Sequence, residues 1–263
     1  MDATSGNESQ QGHSIFENVP LGGLEIAVSH PQAAAVKLCT LAANISNKSG
    51  VSIHLVNAYT ISLAARDRNY ADVLARSSGN LPDGKPLVWI SNLKGRPLWQ
   101  VRGPSLFGNV MDIGRNSNVK HFLLGSTNDT LRKLNEELTS RYPGIEIVGQ
   151  LSPPFRDQSP SELAAQDKFI SDSEAQIVWV GLGTPKQDFE VLRLANRLPV
   201  VAVAVGAAFD FVAGTKKEAP VWIRKIGFEW LFRLLSEPRR LWRRYLFGNF
   251  EFLRATLRNG RSS

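Results

Sequence analysis

The chain has a single cysteine, Cys39, among its 263 residues, which excludes an internal disulfide and any metal cage built from thiolates. Its four histidines, His13, His30, His54 and His121, stand far apart without ligand spacing, so no structural zinc is expected. No stretch reaches the ~18 uninterrupted apolar residues that a membrane-spanning helix needs. The opening MDATSGNESQQGHS lacks the basic and apolar segments of a secretion signal, and the expectation is a cytoplasmic protein. Two nucleotide signatures are also missing. In the loop Gly181-Leu182-Gly183-Thr184-Pro185-Lys186-Gln187, Lys186 stands where a dinucleotide fingerprint has its third glycine, and no P-loop spacing can be read across it. With no Asp-x-Asp pair to hold a divalent metal on a nucleotide diphosphate, a phosphate-binding site here has to use Arg or Lys.

What is present is ordinary in bulk and uneven in detail. A hydrophobic content of 43% supports a real core. Residues 214–263 hold 12 of the 31 Lys and Arg but 4 of the 24 Asp and Glu, a net of +8 against −1 for the rest. Nine of the 23 aromatics lie in the same segment, interleaved with the basic residues. Residues 1–18 read as a polar, disordered leader with no apolar period. Thereafter strand-like runs at 51–56, 87–90, 119–124, 145–148, 177–180 and 200–205 alternate with helical patterns at 31–45, 59–76, 107–114, 129–141, 161–171 and 186–197. That rhythm predicts an α/β domain over 19–213, Rossmann-like, with a mostly parallel sheet and helices on both faces. Beyond Gly214 the rhythm stops. Residues 220–235 and 239–257 read as two helices around Glu237-Pro238, a basic and aromatic helical appendage over 214–263.

Ligands of such sheets bind beyond the carboxyl ends of the strands, and several motifs fall there. Leu81-Pro82-Asp83-Gly84 has the composition of a turn, while a carboxylate in a desolvated turn also suits a general base. Gly125-Ser126-Thr127-Asn128 offers backbone N–H groups to a ligand or caps the helix that follows. Gln187 has an amide able to make paired hydrogen bonds, or is simply solvated; Asn57 at a strand end has a local turn role as its alternative. The pairs Arg239-Arg240 and Arg243-Arg244 share one broad helical face, which is either a solvated charged surface or an anion-binding one. Nucleic acid is disfavoured as the partner because the tail holds no recognisable nucleic-acid module.

Taken together, Asn57, the Pro82-Asp83-Gly84 motif, Gly125-Ser126, Ser152-Pro153-Pro154-Phe155, the 181–187 loop, Gly206-Ala207-Ala208-Phe209-Asp210-Phe211 and Glu229-Trp230-Leu231-Phe232-Arg233 through Arg240 resemble the WecG/TagA/CpsF glycosyltransferases, glycosyltransferase family 26. The resemblance implies a metal-independent, inverting transferase without a cofactor. It would move a sugar from a UDP-sugar to a polyprenyl-diphosphate-linked glycan, peripherally on the inner face of the cell membrane. By the same resemblance Asp83 is the catalytic base. Asn57, Gly125, Ser126, Pro154, Phe155, Gly181, Gly183, Thr184, Pro185, Lys186 and Gln187 bind substrate, and Arg239, Arg240, Arg243 and Arg244 balance diphosphate charge while the tail aromatics meet lipid. The chain departs from the family pattern at Leu55, Gln100 and Ser105, where Thr, Arg and an acidic residue are common. Lys85-Pro86-Leu87-Val88-Trp89 is more similar to hexosyltransferases of exopolysaccharide pathways, favouring a neutral hexose such as glucose. The alternatives are an N-acetylmannosamine or N-acetylmannosaminuronate transferase of the same family, and a polyanion-binding module without catalysis. A homo-oligomer is left open.

Overall fold

The computed structural model describes residues 14–45 and 49–258, and within the last helix the side chains at 240, 243–247, 249, 250, 257 and 258 lie outside that description. The chain enters through a hairpin in which β1 (Asn18–Leu21) and β2 (Leu24–Ala27) pair antiparallel. Their turn is Gly22-Gly23 at φ 62° and 84°, the positive values that a two-residue turn needs to match the strand twist. Six parallel strands follow: β3 (Val51–Val56), β4 (Gly79–Pro82), β5 (Lys120–Gly125), β6 (Glu146–Leu151), β7 (Ile177–Gly181) and β8 (Val201–Ala204). Their order across the sheet is β4-β3-β8-β7-β5-β6. The central strands read as unbroken apolar runs, Ile-Val-Trp-Val and Val-Ala-Val-Ala, because helices cover both faces of a parallel sheet.

Alternation along each strand divides the core. Ile53, Leu55, Leu123, Trp179 and Val203 pack beneath α1 (Pro31–Ala43), α5 (Gly103–Gly114), α6 (Asn128–Arg141) and α9 (Ala208–Val212). Phe122, Leu124, Val178, Val180, Ala202 and Ala204 pack instead beneath α7 (Pro160–Asp172) and α8 (Lys186–Arg197). Trp179 is the anchor of the first face: its ring meets Phe107 edge-on at 4.8 Å, and its indole N–H donates to His121 Nδ1 at 3.2 Å. That bond keeps a buried imidazole neutral, and burial pushes the His121 pKa down to about 3.

Several elements differ from the sequence-based expectation, each for a physical reason. The run 87–90 is not a strand but part of a helix, α4 (Lys85–Leu93), since Pro86 in its first turn favours helix initiation and a short apolar run is ambiguous by period. The strand lies just before it, in β4, whose Gly-Asn-Leu-Pro sequence is tolerated because β4 is an edge strand and Pro82 its last residue. The helical pattern over 59–76 is two helices, α2 (Ala58–Ala64) and α3 (Arg68–Ala75), the second opened by Asp67 accepting from the Tyr70 N–H. The one expected over 220–235 is also two, α10 (Val221–Lys225) and α11 (Glu229–Ser236), parted at Gly227 with φ 80°. The expected leader ends sooner: residues 1–13 lie outside the described residues, while Phe16 is buried in the core.

The tail is more closely integrated than an appendage. Its long helix α12 (Pro238–Arg258) lies along α2, and Phe252, 2% exposed, joins a third cluster with Leu21, Leu24, Ile61, Tyr70 and Leu87. Glu251 accepts from Ser62 Oγ at 3.2 Å and pairs with Arg66 at 2.6 Å. Among the described residues no helix is long and apolar enough to cross a membrane. Removing the Phe252 ring empties a filled site, so Phe252→Ala is expected to cost about 3–5 kcal/mol, read as a lowered denaturation midpoint with an unchanged m-value. A variant as stable as the parent would show that α12 is not part of the cooperative core.

Candidate active site

Every motif singled out in the α/β body follows a strand on the same edge of the sheet. Asp83 and Gly84 follow β4, Asn57 follows β3, and Gly206 lies two residues past β8. The 181–187 loop leaves β7, Gly125-Ser126 leaves β5, and Ser152 to Phe155 leave β6. Between β5 and β7 the connections part, because β5 feeds α6 on one face and β7 feeds α8 on the other. In doubly wound sheets such a divergence leaves a crevice at the strand ends, the usual ligand position.

The glycines around this crevice have different roles. Gly125 and Gly181 are register partners, and a Cβ on Gly125 would lie 2.7 Å from the Gly181 carbonyl. A Cβ on Gly181 would in turn strike the Phe209 ring at 2.6 Å. These two glycines allow protein to pack on protein. Gly183, at φ 78° with nothing within 4 Å of a notional Cβ, is the one facing open space. Gln187 is buried and braces the loop, its Oε1 accepting the Gly183 N–H at 3.1 Å. The next residue, Asp188, accepts from the Tyr70 hydroxyl at 2.9 Å and lies 3.0 Å from His54 Nδ1, all three being buried. This cluster fixes the first turn of α8 to β3 and α3, and sequence reasoning missed it.

Other expected site residues fall into place with less freedom than their side chains suggest. Asn57 caps α2, its Oδ1 accepting from the Tyr59 and Thr60 N–H groups, while its Cβ lies beside Gly84. Ser126, at φ 58°, presents its carbonyl to Ser152 Oγ at 2.7 Å, which ties the β5 and β6 loops together. Thr184 and Pro185 are half-buried and joined by a cis peptide; Lys186 is exposed, 3.6 Å from Asp157. Pro154 and Phe155 are exposed, the latter at 84%. Arg239 is exposed at the start of α12, and the side chains of Arg240, Arg243 and Arg244 lie outside the described residues.

Asp83 has the most distinctive surroundings. Its backbone is fixed on both sides: its N–H donates to Val56 O at 2.8 Å, and its carbonyl accepts from Gln100 Nε2 at 2.9 Å. The carboxylate accepts the Gly103 N–H at 3.0 Å and has no side-chain partner among the described residues. An arginine is next in the chain, yet it is turned away. Arg102 Nε donates to Glu229 at 3.0 Å, Nη2 to Glu218 at 2.7 Å and Glu229 at 3.2 Å, and Nη1 to Ser105 at 3.4 Å. Burial first, and then the charge of Glu229, push the Asp83 pKa up; the Gly103 N–H, Arg233 and Arg102 offset part of that rise. A desolvated carboxylate held without an ion pair is a group that can take a proton at neutral pH. Glu229 and Arg233 come from the tail, 146 and 150 residues further on, and no local sequence signal joins them to Asp83.

A doubly wound sheet whose ligand-binding edge carries such a carboxylate has the frame of a group-transfer enzyme. The chain belongs to the glycosyl transferase WecG/TagA/CpsF family, whose model matches residues 19–263. It is 31% identical over 204 residues to an N-acetylglucosaminyldiphosphoundecaprenol N-acetyl-beta-D-mannosaminyltransferase of Bacillus subtilis, covering 77% of each chain. A protein of the same description from Bacillus spizizenii is 34% identical over 202 residues, 76% of each chain. One from Staphylococcus aureus is 27% identical over 202 residues, 75% of this chain and 78% of that protein.

The raised Asp83 pKa has a consequence for stability. A folded-state pKa above the unfolded value means that the ionised group opposes folding at high pH, and the penalty is relieved as pH falls through the folded pKa. Asp83→Asn keeps the Gly103 bond without the charge. Thermal melts between about pH 4 and about pH 8 are expected to show the variant more stable at the upper end, with the gain closing toward the lower. A variant less stable throughout would contradict the desolvated-carboxylate description.

Proposed function

We propose that the chain transfers an N-acetylmannosaminyl group from a UDP-linked donor to a polyprenyl-diphosphate-linked N-acetylglucosamine, with inversion at the sugar. The observation that carries this reading is Asp83, an unpaired and desolvated carboxylate in a Pro-Asp-Gly motif at the sheet's ligand edge. The acceptor hydroxyl gives its proton to Asp83 as its oxygen attacks the anomeric carbon, and the nucleotide diphosphate leaves from the opposite side. Gly183 and the Gly125-Ser126 turn flank the crevice proposed for the donor. Arginines at the start of α12 supply positive charge for the diphosphate in place of a metal.

The choice of sugar follows the activity for which the relatives are named, not the segment that favoured hexose. Lys85 to Trp89 is the first half of α4, where Leu87 and Val88 are core residues and the Trp89 ring packs where a Cβ on Gly227 would stand. Packing explains those residues without recourse to a sugar. Membrane contact belongs to the same proposal. Val221, Trp222, Ile226 and Leu235 are exposed in a segment of net +8, a combination suited to the surface of an anionic leaflet.

With UDP-N-acetylmannosamine and a detergent-solubilised acceptor, Asp83→Asn is expected to lose transfer by about a hundredfold or more while UDP still raises its melting temperature. Chelation by EDTA is expected to leave the parent's rate unchanged. Full turnover in Asp83→Asn would remove the base assignment; a stronger thermal shift and faster transfer with UDP-glucose would return the hexose reading.

A further inference from the structure

The tail does more at Asp83 than cover it. Arg102 is joined by one peptide bond to Gly103, whose N–H holds the Asp83 carboxylate, so the strongest available ion-pair partner for the base is its near neighbour. A carboxylate paired with that guanidinium would be a weak base, since an opposite charge at contact lowers its pKa by about 1–3 units. The guanidinium is instead occupied on all three nitrogens, and Glu229 takes two of the bonds, at 3.0 and 3.2 Å.

Resting on the reading of Asp83 as the base, we propose that Glu229 is a positioning residue for the transfer reaction: it holds the Arg102 guanidinium away from Asp83, so that the base meets the acceptor hydroxyl unpaired. The charged groups facing Asp83 are Arg102, at the entrance to α5, and Glu229 and Arg233 on α11. Arg233 is itself stacked 4.8 Å over the Phe211 ring, which fixes where its charge sits. Glu218 faces Arg102 and Arg224, and its 2.9 Å bond to Arg224 does not involve Arg102. Burial alone does not produce this arrangement: a desolvated Asp beside a free arginine would pair with it. Glu229 supplies both the competing acceptor and a like charge that disfavours ionisation of Asp83.

The test is the pH dependence of kcat/KM, whose acid limb reports the base in the free enzyme. Glu229→Gln releases part of Arg102 toward Asp83, and the limb is expected to move down by about one pH unit, with lower turnover on the plateau. Glu229→Asp is expected to restore the limb. The double variant Glu229→Gln/Arg102→Gln discriminates further. If Glu229 acts by sequestering Arg102, removing both returns the limb to near the parent's position. If Glu229 only staples the tail down, the double variant is no better than the single one and the inference fails, as it does if Glu229→Gln loses turnover with an unmoved limb. Thermal melts of each variant separate these outcomes from unfolding. Retained transfer by Asp83→Asn would remove the base reading and this inference together, whereas lost transfer there with an unmoved limb in Glu229→Gln overturns the inference alone.

Discussion

The grip of two tail carboxylates on Arg102 is the interaction on which the candidate site depends. Arg233 stacked over Phe211, Lys216 paired with Asp210 and Trp89 packed at Gly227 also hold the segment 214–237, and this grip is the one that joins α11 to the residue before Gly103. With it, Asp83 lies in a low-dielectric corner formed by residues more than a hundred positions apart. An ion pair of this kind contributes little net stability, because desolvating an arginine and two glutamates costs about as much as their attraction returns. Its value here is geometric. It selects one placement of the tail, and in that placement a carboxylate next to an arginine remains without a partner.

The sheet imposes the second constraint. Parallel strands all end on one edge, so residues scattered from Asn57 to Gly206 share a rim with no design beyond the order β4-β3-β8-β7-β5-β6. The crevice at β5 and β7 is narrow at its base because Gly125 and Gly181 approach too closely for any side chain. It is fixed at its wall because His54, Tyr70 and Asp188 lock α8 in place. The loop Gly181 to Gln187, proposed to meet the donor, is held from beneath by Gln187 and from behind by Asp188. Preorganisation of that kind lowers the entropy lost on binding.

Much of this was legible in the sequence. The β/α rhythm, the parallel sheet and the limits of α8 follow from apolar period and from the punctuation of Gly and Pro. What was not legible divides by cause. Gly79–Pro82 has no β-branched residue and ends in proline, so nothing local marks it as a strand; only its place at the sheet edge permits it. Leu87–Ile90 reads as a strand yet lies within α4, because four apolar residues fit either period. The glycines of the 181–187 loop read as a ligand cradle, yet Gly181 is required by Phe209 and only Gly183 is open. Glu229 was visible within a motif, but its pairing with Arg102 spans 127 residues and no spacing rule reaches that far.

The division into body and appendage is where sequence reasoning and structure part most instructively. Composition separates them sharply, at +8 against −1, and charge alone suggests a membrane-associating appendage. Packing argues otherwise, since Phe252 and Thr256 are buried against the body and Lys94 donates to the Thr256 carbonyl at 2.5 Å. A segment that completes the core cannot also be a free tether. If the proposed membrane contact is made by its exposed apolar residues, the surface that meets lipid and the carboxylate proposed to tune the base lie on the same short stretch, with Trp222 and Ile226 only a few residues before Glu229. Lipid contact and the grip on Arg102 would then fall on two neighbouring short helices parted only at Gly227, so that the two proposed roles of the segment share one piece of backbone.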